Sequence, residues 1–183
     1  MKIISKNLKQ TSRFAKSFLD NLKPSSKMAT VVALSGNLGS AKTTFTKEIA
    51  SFLGVPKKEI TSPTFVIMKI YQLTTDNRQL FEPEALRAEW STTNNKKNKN
   101  KKNTRLLVVS RWSHLIHIDA YRLDSHKELL HLGWKEILKN YKNLVIIEWP
   151  ERVKKILPKS TKWTYFKFVD EKTRKIEIKN VNI

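Results

Sequence analysis

One stretch limits what this chain can fold into: Leu34-Ser35-Gly36-Asn37-Leu38-Gly39-Ser40-Ala41-Lys42-Thr43-Thr44. An apolar run, Val31 to Leu34, leads into it. Phe45, Ile49, Phe52 and Leu53 follow at the spacing of one helix face. Strand, glycine-bearing loop and helix match the phosphate-binding pattern G-x-x-x-x-G-K-[ST] at every fixed position except Ala41, where the pattern has glycine. Gly36 and Gly39 let the backbone curl so that successive N–H groups face an anion, and the helix adds its positive end. The expected nucleotide-binding residues are therefore Gly36, Asn37, Leu38, Gly39, Ser40, Ala41, Lys42, Thr43 and Thr44. Lys42 would reach the β- and γ-phosphates as a point charge, and Thr43 would place its hydroxyl on Mg²⁺. The methyl of Ala41 either crowds the β-phosphate or is absorbed by a small shift.

With 183 residues, 39% of them hydrophobic, the chain suits one α/β domain with a buried core. It has no cysteine, which excludes disulfides, zinc–thiolate sites and thiol catalysis. No apolar run reaches the length of a membrane span and no signal-peptide core stands out, so the expected location is cytoplasmic, with no membrane partner. The formal net charge is +20. Such a field favours a polyanionic partner; a Lys- and Asn-rich solvated surface is the competing explanation.

Taken in order, residues 1–4 read as a short strand and about 10–22 as a helix carrying Phe14, Phe18, Leu19 and Leu22 on one stripe, closed by Pro24. The phosphate-loop unit, about 30–53, stops at Gly54 with Pro56 beyond. Pro63 fixes a turn, and Thr61, Ser62 and Thr64 gather hydroxyls at the head of a β-rich run from Phe65 to Leu73. Residues 74–112 form an insertion. Within it Thr92 to Thr104 is almost wholly Asn and Lys, too polar and like-charged to pack, with some helix expected in Glu82–Trp90. A surface loop extension is the preferred reading, and an RNA-clinging arm the alternative. Beyond it come a strand over 115–118, a capping box from Ser125 to Glu128, and a short helix at Trp134 to Leu138. Leu144 to Ile147 reads as a strand buried on both faces, and 163–169 with 174–181 as a hairpin.

Asp119 and Glu148 each follow an apolar strand. Ligands of open α/β sheets sit outside the carboxyl ends of the strands, so both acids are expected to face the loop. Glu148 is the expected Mg²⁺ partner, and Asp119 the water-positioning or second metal-shell group. A lone acid at a strand end is often a cap or turn residue; two beside a phosphate loop form a pattern. His114, His117, His126 and His131 lack metal spacing with acidic partners and read as packing or surface residues. Trp149 either covers a nucleotide or partner or packs in the core. Arg122 and Arg152 read as surface salt-bridging residues, with phosphate neutralisation as the alternative.

Four motifs in one order resemble the TsaE (YjeE-type) family of small P-loop ATPases in bacterial tRNA threonylcarbamoyladenosine modification. They are Gly36 to Phe45, Thr61-Ser62-Pro63-Thr64-Phe65, His117-Ile118-Asp119-Ala120-Tyr121-Arg122-Leu123, and Ile147-Glu148-Trp149-Pro150-Glu151. The resemblance covers most of residues 1–158 outside the insertion. It implies a single α/β domain of the P-loop NTPase fold, three-layered, with a mixed central sheet flanked by helices; the C-terminal β-hairpin adds to that. It implies ATP/ADP and Mg²⁺ as cofactors, Thr43 and Glu148 as metal ligands, and Lys42, Thr64, Asp119 and Glu148 as the catalytic set. Thr61 to Thr64 corresponds to a switch-like loop, and Thr11 to a residue beside the adenine. The implied partner is a TsaB–TsaD-type complex, reset by ATP hydrolysis between rounds of threonylcarbamoyl transfer, with tRNA contact indirect. Ala41 and the insertion between Tyr71 and His117 depart from the family pattern. Two other functions stay open: a small-molecule kinase on the same fold, which needs a lid with several arginines, and a nucleotide-deficient scaffold with a basic RNA-binding surface.

Overall fold

The computed structural model of the protein describes residues 1–73 and 111–180. The expected helix at Glu82–Trp90 and the Asn/Lys run lie outside the described residues. In chain order the elements are β1 (Lys2–Ser5), α1 (Leu8–Asn21), β2 (Thr30–Gly36), α2 (Lys42–Phe52), β3 (Met68–Gln72) and β4 (His114–Asp119). There follow α3 (His126–His131), α4 (Trp134–Lys139), β5 (Asn143–Glu148), a 3-10 helix (Pro150–Ile156), β6 (Lys162–Phe168) and β7 (Arg174–Asn180).

The described strands form one sheet in the order β1-β7-β6-β2-β5-β4-β3. Its centre, β6-β2-β5-β4, is parallel, while β3 pairs antiparallel with β4, and β7 antiparallel with both β6 and β1. The apolar runs of β2 and β5 occupy the middle because both their faces are covered. Alternation along the strands decides which core each residue joins. Val32, Leu34, Leu144 and Ile146 pack with Phe14, Phe18, Phe45 and Ile49 of α1 and α2. Val31, Val145, Ile147, Ile116 and Ile118 pack with Leu129, Trp134 and Val153 on the opposite side. The result is three layers around a mixed sheet, the architecture expected from the sequence.

Boundaries differ where local hydrogen bonding outweighs periodicity. Helix α1 starts at Leu8, about two residues earlier than the expected start near residue 10, because the Asn7 side chain accepts the Gln10 N–H at 2.9 Å and caps it. The strand expected from Phe65 begins only at Met68. Val66 and Ile67 both donate to the Pro63 carbonyl, and Ile67 takes φ +63°, so this stretch is a turn before the β3–β4 ladder starts. The Ser125–Glu128 capping box forms as expected.

Candidate active site

Glu148 ends β5 and Asp119 ends β4, and the two are direct partners in the parallel register; Leu34 of β2 lies across from Glu148 on the other side. The register therefore brings both acids to the edge of the sheet from which the Gly36-to-Ala41 loop emerges. Glu148 shares strand parity with Ile146 and so faces the α2 layer. There its Oε2 accepts the Thr43 hydroxyl at 2.9 Å. Both acids are buried, Glu148 at 3% and Asp119 at 2% exposure, which makes their partners decisive for the cost of holding a charge. Asp119 Oδ2 accepts from Ser62 Oγ at 2.7 Å and from Thr64 Oγ1 at 2.5 Å, and its Oδ1 accepts the Tyr121 N–H at 3.0 Å. The hydroxyl-rich stretch noted in the sequence thus closes onto one carboxylate, Ser62 together with the expected Thr64.

The phosphate loop is folded around its own lysine. Lys42 Nζ donates to the Gly36 carbonyl at 2.8 Å and the Asn37 carbonyl at 3.1 Å, and lies 4.1 Å from the centre of the Trp149 ring. Trp149 thus covers the loop lysine and packs at a tilt of 50° against Tyr121, ring centres 5.0 Å apart. Its φ of +56° turns the chain from β5 into the 3-10 helix. Burial pulls the Lys42 ammonium below its ordinary value of 10.5, opposed by the charges of Glu148, Asp119 and Glu151. A bound phosphate would raise it again. Nucleotide affinity should therefore be fully present below the lowered value and weaken as pH rises through it, whereas a Lys42→Arg variant, protonated throughout, should show a flat profile between about pH 7 and about pH 10. Calorimetric titration of Mg²⁺-ADP across that range checks this.

Ala41 takes φ +78°, a left-handed conformation at the N-cap of α2. Glycine is suited to this position for its backbone freedom. Alanine there is strained by about 1 kcal/mol. Ala41→Gly should raise the melting temperature of the free chain by about 2–4 °C, read by calorimetric melting.

Ser40 is fully buried, while Asn37, Leu38 and Gly39 lie on the exposed rim, Leu38 at 83%. Thr44 is half-buried on the first turn of α2. Thr11 makes local bonds at the start of α1, its hydroxyl 2.7 Å from Ser5 Oγ. Arg122 holds its guanidinium 4.4 Å from the Phe65 ring centre, so it stacks on the tip of the hydroxyl loop. The sequence reading missed His117. Its ring is fully buried, with Nε2 2.8 Å from Glu148 Oε1, so it fixes the carboxylate from behind and leaves Oε2 to Thr43. Strand alternation carries the signal, since His117 stands two residues before Asp119, on the same face of β4.

A glycine loop between a central parallel strand and a helix, with buried acids ending the two neighbouring strands on one side, defines the P-loop NTPase fold class. Similarity in sequence to known proteins narrows that class. The family described as threonylcarbamoyl adenosine biosynthesis protein TsaE matches residues 5–92 and 102–176. The chain is 30% identical over 174 residues to the tRNA threonylcarbamoyladenosine biosynthesis protein TsaE of Rickettsia typhi, covering 95% of this chain and 91% of that protein. It is also 30% identical over 154 residues to the protein of the same name from Borreliella burgdorferi, covering 84% and 81% of the two chains. The crystal structure of Bacillus subtilus YdiB shares the fold, with a TM-score of 0.57 at 23% identity over 96% of this chain and 82% of that one. The chain belongs to the TsaE family of tRNA threonylcarbamoyladenosine biosynthesis.

Proposed function

We propose that this chain binds ATP with Mg²⁺ in the Gly36–Thr44 loop and hydrolyses it in the service of a TsaB–TsaD-type complex. The observation that carries the reading is the Thr43–Glu148 pair: a loop hydroxyl and a buried carboxylate held 2.9 Å apart beside the phosphate loop. A hydroxyl and a carboxylate are hard oxygen donors of the kind Mg²⁺ takes alongside phosphate oxygens and water. When bound, Mg²⁺ would neutralise charge on the transferred phosphoryl group. The chain's own residues do the rest. Lys42 leaves the Gly36 and Asn37 carbonyls for the phosphates. His117 orients Glu148. Asp119, held by Ser62 and Thr64, is placed to orient the attacking water. Thr11 keeps the adenine-side assignment that the family resemblance implies.

The exposed Phe65, at 83%, sits on the loop that holds Asp119, so a partner gripping that loop would act directly on the water-positioning acid. Phosphate release from ATP, measured alone and with the TsaB–TsaD pair, tests the proposal. Slow release that rises with the pair supports it. Release indistinguishable from buffer in both cases favours the nucleotide-deficient scaffold, and phosphate transfer to a metabolite favours the kinase.

A further inference from the structure

The phosphate loop is fastened to the C-terminal hairpin at two points. Gly36 pairs with Phe166 in the β2–β6 ladder and lies so close that a Cβ there would come within 2.4 Å of the Phe166 carbonyl oxygen. Further along the loop, Arg174, the first residue of β7, donates from Nε to the Gly39 carbonyl at 3.1 Å. The rest of its guanidinium is held by the hairpin turn: Nη1 donates to the carbonyls of Asp170, of Glu171 at 3.3 Å and of Thr173 at 3.0 Å. The guanidinium centre also rests 4.5 Å from the centre of the exposed Phe168 ring. Asp170 in turn accepts the Lys172 and Thr173 N–H groups, which closes the turn that aims the arginine.

We propose that Arg174 is a positioning residue for nucleotide binding, acting through the Gly39–Ser40 peptide. The Gly39 carbonyl and the Ser40 N–H belong to one peptide unit. An ionic donor on that carbonyl oxygen polarises the N–H at the other end, as chained hydrogen bonds do; in this structure that N–H donates to the Asn37 carbonyl at 3.2 Å, and it would turn to an anion from there. It also pins Gly39, an exposed residue at φ +71° with nothing packed within 4 Å of its Cβ position, in the curled form that the Ser40 N–H to Asn37 carbonyl bond closes. The sheet thus supplies a fixed cation to the outside of a loop whose inside takes the anion. This rests on the nucleotide-binding reading above.

The test compares Arg174→Ala, Arg174→Lys and Lys172→Ala. Lys172 is a neighbouring exposed cation, and its replacement controls for general loss of positive charge. The measurements are Mg²⁺-ADP affinity, the kcat and KM of ATP hydrolysis, and amide exchange of the 34–44 segment in the nucleotide-free chain. Arg174→Ala should weaken Mg²⁺-ADP about tenfold and raise KM in parallel, with kcat within about twofold, because one charge-assisted bond is lost and the reacting groups are untouched. Exchange in the 34–44 segment should quicken. Arg174→Lys should recover part of the affinity, and Lys172→Ala should change nothing. If the native chain binds nucleotide and Arg174→Ala binds it equally well, or if Lys172→Ala weakens binding as much, the proposal is wrong. A native chain that binds no nucleotide overturns the functional reading itself, yet slower loop exchange in the native chain than in Arg174→Ala would still uphold the clamp.

Discussion

Gly36→Ala should abolish measurable Mg²⁺-nucleotide binding and lower the melting temperature by about 5–12 °C. Two costs add. The new Cβ would stand 2.4 Å from the Phe166 carbonyl and 2.9 Å from Ser40 Oγ, and the first of these neighbours is backbone in the middle of a sheet, which cannot step aside. The residue also has φ +149°, a conformation that side chains other than glycine rarely adopt. Overpacking and backbone strain of this kind cost on the order of 1–3 kcal/mol each. Relief would come by pulling the loop off β6, and the same movement would scatter the amides to which phosphate binding is assigned. Gly54→Ala is the matched control. Gly54 has φ +89° with nothing within 4 Å, so alanine there brings strain without a clash and should leave nucleotide affinity unchanged. Melting and titration calorimetry on the two variants read both effects.

The second large effect divides the two acids. Asp119→Asn should slow ATP hydrolysis about 10²- to 10³-fold while Mg²⁺-ADP affinity stays within about threefold, because a group that orients water acts in the chemical step alone. The amide oxygen can still accept from Ser62 and Thr64, so their loop should keep its place, while the amide NH2 in place of Oδ1 gives up the Tyr121 N–H. Glu148→Gln should instead reduce Mg²⁺-dependent affinity, since Glu148 Oε2 is the carboxylate oxygen that meets Thr43. Single-turnover phosphate release with parallel calorimetry separates the two. A matching fall in rate and affinity for Asp119→Asn would make Asp119 a binding residue and refute its assigned role.

The parts of the site written in local sequence were legible there. A phosphate loop needs its glycines, lysine and threonine within a few residues, and the buried parallel strands β2, β4 and β5 announce themselves as apolar runs. Asp119 and Glu148 close two of these runs, and together they mark one edge of the sheet. What the sequence hid depends on register between distant elements. Strand alternation puts His117 on the face of Asp119, but only the parallel register of β4 and β5 joins it to Glu148. Arg174 meets Gly39 across 135 positions, through a hairpin whose pairing with β2 sets the distance. The shortened β3 was hidden for another reason: the Phe65–Ile67 residues have strand propensity, but the Pro63 carbonyl captures two of their N–H groups and turns them away. Ala41 was legible as a departure and not as a cause, because its left-handed φ is a property of the folded loop.

The central claim is a Mg²⁺-dependent nucleotide site built on Lys42, Thr43 and Glu148. Calorimetric titration of ADP into the native chain, with Mg²⁺ and with chelator, tests it most directly. Binding in the micromolar range that weakens at least tenfold on removing Mg²⁺ is the result this site predicts. No binding heat at about 100 μM protein, or an affinity indifferent to Mg²⁺, would contradict it.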